Sequence, residues 1–242
     1  FVLGVSSGAR LAVALCMMLF MAQNRALSSF ALVFAAFLGS LVSLGILLAV
    51  SQRVRQMAGL LVAGIMIGYI CSAATDFLLS FAADSEIVSL HSWSQGSFSG
   101  MSLAQVRTAA VLIGISAFAL LFLAKPLAAV QLGESYAESL GVNVRRMRSA
   151  LIILASLLAA TVTAFAGPVS FVGVASPFLI QSLLKSNKPL LVLPASFLGG
   201  AVFCLASDLI ARTAFQPTEL ALSTVTSFFG APIVLWLLVK RR

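Results

Sequence analysis

This chain has little charge. Only 9% of its 242 residues are Asp, Glu, Lys or Arg and 61% are hydrophobic, whereas soluble domains carry about 25% charge. With a mean hydropathy of +1.10, a water-soluble globular fold is excluded. Other scarcities exclude chemistries. His91 is the sole histidine; without a second histidine or a nearby carboxylate cluster it forms no metal-ligand set and reads as an interfacial loop residue. Cys16, Cys71 and Cys204 lie in apolar runs with no C-x-x-C spacing and read as small packing residues. There is no H-E-x-x-H and no G-x-S-x-G, and Asp76 and Asp208 lack the Gly-flanked context of an intramembrane aspartyl protease. No catalytic residue, metal or cofactor is therefore assigned. The G-x-x-x-x-G-K-[ST] phosphate loop is also missing, so any ATP hydrolysis that drives this protein belongs to another chain.

Long apolar runs dominate what is present. At about 20 residues per crossing, they predict eight spans near 1–20, 28–50, 57–83, 106–125, 149–166, 168–184, 189–211 and 219–239. Backbone groups in lipid must be satisfied within the segment, and runs of this length are helices rather than barrel strands. The fold class is all-α, a polytopic membrane helix bundle. The short run at 168–184 implies a tilted or neighbour-shielded span, and the long one at 57–83 leaves room for a terminal helix along the interface. Small residues at GVSSG (4–8) and GIMIG (64–68) allow close helix approach. No linker or soluble insert divides the chain, which reads as one domain over 1–242.

The net charge of +8 is explained by membrane topology rather than by nucleic acid. Arg53, Arg55, Lys125, Arg145, Arg146, Arg148, Lys185, Lys188, Lys240, Arg241 and Arg242 fall in breaks of one parity or at the C-terminus. Arg25, Arg107 and Arg212 fall in breaks of the other parity, and Arg10 is unassigned. The positive-inside rule places the larger set, and the C-terminus, in the cytoplasm. Carboxylates within spans are costly and often functional. Here Asp208 and Arg212 are four apart with the acid first, the favourable order for a helical pair, and Asp76 also lies near an outer end; these read as partners or interfacial anchors.

A charged island, QLGESYAESLGVNVRRMR at 131–148, interrupts the apolar pattern. It must lie outside the hydrocarbon, and Gly133 and Gly141 bracket a short helix that presents Glu134 and Glu138 to water. One span later comes GPVSFVG at 167–173. These segments, together with LGVSSGA at 3–9, AAFLGS at 35–40, WSQGSFSG at 93–100, LPASFLGGA at 193–201, DLIARTAFQPTEL at 208–220 and FFGAPIVLWLL at 228–238, occur in one order across nearly the whole chain.

In that order and spacing the chain resembles the FecCD family, the permease subunits of ABC importers for iron-siderophores, haem and vitamin B12. The resemblance implies about ten spans, with LGVSSGA opening the third, and no catalytic role. It implies a second permease, identical or homologous, a separate ATPase, a solute-binding protein, and residence in the inner membrane. It identifies 132–147 as the coupling helices, with Gly133, Glu134, Ala137, Glu138, Leu140, Gly141 and Val142 meeting the ATPase. Arg212 matches a position that docks the binding protein. Gly167, Pro168, Phe171, Gly173, Pro177, Pro217, Glu219, Gly230 and Pro232 carry family motifs, and Glu219 would cap the last span. Family members often read P-H-I-A-R where this chain has Pro177-Phe178-Leu179-Ile180-Gln181, so the usual His and Arg are replaced by Phe178 and Gln181. The expected cargo is a ferric siderophore, with haem or cobalamin as alternatives. From another class, an ion-gradient-driven secondary transporter would want inverted repeats and midplane ionisable relays, which the sequence does not show.

Overall fold

The computed structural model describes residues 4–22, 29–54, 57–99, 101–214 and 220–240. Among these residues it contains helices and no strand: α1 (Val5–Ala22), α2 (Ser29–Ser51), α3 (Met57–Leu79), α4 (Asp84–Ser94), α5 (Leu103–Phe122), α6 (Ala124–Gln131), α7 (Glu134–Ser139), α8 (Val144–Ala166), α9 (Val172–Leu184), α10 (Pro189–Thr213) and α11 (Leu222–Lys240). Each of the eight expected spans corresponds to one apolar helix. Five (α2, α3, α5, α8 and α10) are long and apolar enough to cross a membrane, and α1, α9 and α11 hold shorter apolar stretches.

Two boundaries and the placing of His91 differ from the sequence reading. The run at 57–83 stops at Leu79, and α4 is a separate helix whose Glu86 carboxylate accepts a hydrogen bond from the Ala83 N–H at 3.0 Å. His91 therefore sits in a helix, not a loop, where its Nε2 accepts from the Gln95 amide at 2.8 Å. The span expected at 168–184 begins only at Val172. Gly167, at φ +77°, ends α8; Pro168 lacks an N–H; and Phe171, at φ +63°, sets the angle at which α9 starts. At 1.5 Å per residue, the 13 residues of α9 reach only about 20 Å, short of a full crossing.

The chain forms two compact units, Phe1–Ala117 with Arg148–Pro168, and Phe118–Met147 with Val169–Arg242. In the first, α1 is central and packs on α2, α3 and α4. The small residues singled out in the sequence meet one another here. A Cβ on Gly4 would lie 2.7 Å from the Gly64 carbonyl oxygen, and one on Gly8 would lie 2.8 Å from that of Gly39. Helices in lipid gain little from the hydrophobic effect, and such backbone approach maximises their dispersion contacts. In the same unit Ala9, Val13, Met17, Ala36, Leu90 and Ala164 form one buried cluster.

In the second unit α9 packs on α10 and α11, and α6 on α7 and α10. Gly199 of α10 accommodates Ile180, whose Cδ1 would lie 2.8 Å from an added Cβ. The Ser176 hydroxyl donates to the Ser196 carbonyl at 2.8 Å, tying α9 to α10. Pro177, Pro194 and Pro232 stand inside α9, α10 and α11.

Candidate functional site

The charged island folds into three pieces rather than one. α6 ends at Gln131, the six-residue α7 follows, and α8 begins at Val144, still within the island. Gly133 stands before α7 at φ +129°, ψ +142°, a conformation reserved in practice for glycine. The other end closes as a Schellman motif: Val142 N–H donates to Ala137 O at 3.0 Å and Gly141 N–H to Glu138 O at 2.9 Å, with Gly141 at φ +82°. Two residues later Asn143 caps α8, its Oδ1 accepting from the Arg146 N–H at 3.0 Å. Every turn in this stretch is thus specified by a local residue.

Burial sorts the island's side chains. Ala137 is fully buried and Val142 half-buried, whereas Glu134, Glu138, Tyr136 and Leu140 are exposed. Tyr136 and Leu140 are one helical turn apart, and the two glutamates occupy the other flank of the same helix. A short rigid helix held through Ala137 therefore offers both an apolar pair and an acidic pair to its surroundings. Tyr136 and the neighbouring Leu132, 50% and 73% exposed, were not among the expected site residues; a large apolar side chain inside a water-facing charged stretch was the available signal.

The GPVSFVG motif divides between the units. In the first, Gly167 crosses Gly96 of WSQGSFSG backbone to backbone. A Cβ on Gly167 would meet the Trp93 carbonyl oxygen at 2.7 Å, and one on Gly96 the Pro168 carbonyl oxygen at 2.9 Å. Ser97 N–H donates to Ala166 O at 2.9 Å, satisfying backbone that a helix would otherwise pair. A cavity of about 250 Å³ beside the crossing is lined by Ser92, Trp93, Ser97, Gln105 and Phe165, among others. In the second unit Phe171 packs on Gly230, where an added Cβ would lie 2.8 Å from the Phe171 Cβ. Gly173 has open space around it. Gly167→Ala should destabilise the protein by at least about 1–3 kcal/mol, because strained φ and the carbonyl clash add, while Gly45→Ala in open space should be neutral or stabilising by up to about 1 kcal/mol. Thermal unfolding in detergent measures both.

Arg212 forms an ion pair with Asp208, Nε to Oδ2 2.9 Å, with the arginine 42% and the aspartate 22% exposed. Pro217 and Glu219 lie outside the described residues. No cluster of three His, Cys, Asp or Glu able to hold a metal occurs among the described residues.

Residues 1–240 match the FecCD transport family. The chain belongs to that family. It is 34% identical over 241 residues, 99% of this chain and 72% of the relative, to the hemin transport system permease protein HmuU of Yersinia pestis. It is 35% identical over 240 residues, 99% of this chain and 71% of the relative, to the vitamin B12 import system permease protein BtuC of Vibrio cholerae. Among solved structures, a metal-chelate type ABC transporter in an inward-facing conformation superposes with a TM-score of 0.89 at 25% identity, over 99% of this chain and 75% of that one. This FecCD chain is accordingly a multi-pass inner-membrane permease subunit of an ABC importer, with ATP hydrolysis on a separate subunit. Membership also implies a second permease subunit. Phe178 and Gln181 both lie in α9 and are half-buried.

Proposed function

We propose that this permease carries a metal chelate, a ferric siderophore in the first instance, and that α7 is the element through which its ATPase drives it. The observation that supports the coupling role is α7 itself: a six-residue helix, bounded by Gly133 and Gly141 at positive φ, with Tyr136, Leu140, Glu134 and Glu138 all exposed. A solvated loop face would have no need of two stereochemically restricted ends. A rigid knob seated in a groove of the ATPase would transmit rigid-body movement to α8, which continues from it after four residues. Gly133, Glu134, Ala137, Glu138, Leu140, Gly141 and Val142 form this element, with Tyr136 added to its docking surface.

For cargo, the relatives name hemin and vitamin B12 and the solved neighbour a metal chelate. Uptake into proteoliposomes containing the permease, its ATPase and its binding protein should favour a ferric siderophore over haem and cobalamin. Preference for either of the latter would move the substrate assignment within the family.

The sidedness that puts α7 in the cytoplasm is supported by the distribution of basic residues: Lys125, Arg145, Arg146, Arg148, Lys185 and Lys188 flank helix ends of one parity. The C-terminus shares that side. Ser139 and Ser97 are both exposed. Single cysteines at these positions in a Cys-free background should label from opposite faces, Ser139→Cys only once the inner side is opened. Equal labelling of both on intact cells by an impermeant reagent would refute the topology.

A further inference from the structure

Three lysines converge on one cavity of the second unit. Lys125 at the start of α6, and Lys185 and Lys188 in the turn between α9 and α10, line a space of about 700 Å³ together with the polar side chains of Gln131 and Asn187. Among the described residues, no carboxylate lines it. All three lysines are exposed, and Lys185 holds the left-handed backbone at φ +47°, uncommon for a residue with a Cβ. α10 begins at the same place, with Pro189 in its first turn and no side-chain cap, adding the positive end of a helix dipole. Neighbouring ammonium groups repel, and the described lining supplies no neutralising charge.

The surroundings decide what kind of anion fits. The rest of the lining is apolar, from Ala124, Ala128, Leu132, Pro189 and Leu190. Leu183, at the end of α9, and Leu190 and Leu191, at the start of α10, are exposed at 76%, 57% and 52%. A soluble phosphate would use the lysines and leave this apolar rim wet. An acidic protein surface would set its carboxylates against the apolar rim of two bilayer helices. An amphiphile with an anionic head satisfies both parts, and basic pockets between helix ends at a membrane surface suit such heads.

We infer that this cavity binds the headgroup of an anionic phospholipid, its phosphodiester on Lys125, Lys185 and Lys188 and its acyl chains along Leu183 and Leu190. α6 carries Lys125 and leads through Gly133 into α7, so the bound lipid braces the element that precedes the docking helix. Only this last step rests on the coupling role of α7.

Native mass spectrometry of the purified full chain, titrated with phosphatidylglycerol or phosphatidylcholine of matched acyl chains, tests the site. Phosphatidylglycerol should be retained at least about tenfold more strongly, the order expected when several lysines meet an anionic head. Combined Lys125→Ala, Lys185→Ala and Lys188→Ala should erase that preference. The corresponding triple Lys→Arg variant should keep it, and Arg53→Ala, a basic residue outside the cavity, should leave it unchanged. The inference fails if the two lipids bind alike, if the alanine variant keeps the preference, or if Arg53→Ala removes an equal share. It fails equally if glycerol 3-phosphate displaces the lipid at matched concentration, which would mark a soluble phosphate site. An alanine variant that holds phosphatidylglycerol normally but no longer co-purifies with the ATPase would assign the cavity to the protein interface instead. None of these readouts requires transport, so failure here and failure of the transport reading are separable.

Discussion

Gly141→Val should leave the permease folded in detergent while its ATPase no longer co-purifies. Gly141 closes α7 at φ +82°, and no atom lies within 4 Å of where a Cβ would stand, so the effect is one of backbone preference and not of collision. The left-handed conformation costs an L-residue about 1–2 kcal/mol, more for a β-branched one, and the Schellman bonds from Val142 and Gly141 would yield first. Because Ala137 is the buried residue of α7, that cost falls on the orientation of the exposed Tyr136 and Leu140 rather than on the bundle. ATPase affinity should drop at least about tenfold, the equivalent of 1.4 kcal/mol, with Gly141→Ala intermediate. Normal co-purification with Gly141→Val would remove α7 from the coupling path.

Arg212→Glu should weaken capture of the binding protein far more than it weakens folding. Arg212 already pairs with Asp208 at 2.9 Å, but an exposed i,i+4 pair contributes only about 0.3–0.5 kcal/mol, whereas charge pairs desolvated at a protein interface couple by about 1.5–7 kcal/mol. The size of the loss therefore separates the two roles. Combining Arg212→Glu with Asp208→Arg restores the helical pair in reversed order; if that double change recovers affinity for the binding protein, the local pair was what mattered. Recovery only by an acid-to-base change on the binding protein would assign Arg212 to docking.

Much of the architecture was legible because lipid leaves the chain few options. A run of about 20 apolar residues has to be a helix, and the eight runs became eight apolar helices whose edges followed Gly, Pro and charge. The exceptions share a cause. Gly167 and Pro168 are local breakers that end α8, but how far the irregular stretch runs is not local: it follows the close crossing of Gly96 and Gly167, seventy residues apart in sequence, and the positive φ of Phe171, which no residue preference foretells. His91 read as a loop residue because the polar stretch around it hides a short helix anchored by a single buried leucine, Leu90.

The island shows the same division. Gly133 and Gly141 marked its helix from sequence alone, since glycine at both ends of a short polar stretch is a local signal. Tyr136 gained meaning only once Ala137 was seen to be buried beside it. The convergence of Lys125 with Lys185 and Lys188 depends on α6 packing against α10, and sixty intervening residues conceal it.

The most direct test of the account is uptake by the complete complex in sealed vesicles, comparing the native ATPase with a hydrolysis-dead form, in the presence and absence of a proton gradient. Uptake should require ATP, vanish with the hydrolysis-dead ATPase and persist when the gradient is collapsed. Uptake that survives the dead ATPase but collapses with the gradient would contradict an ATP-driven permease and place this chain among the secondary transporters.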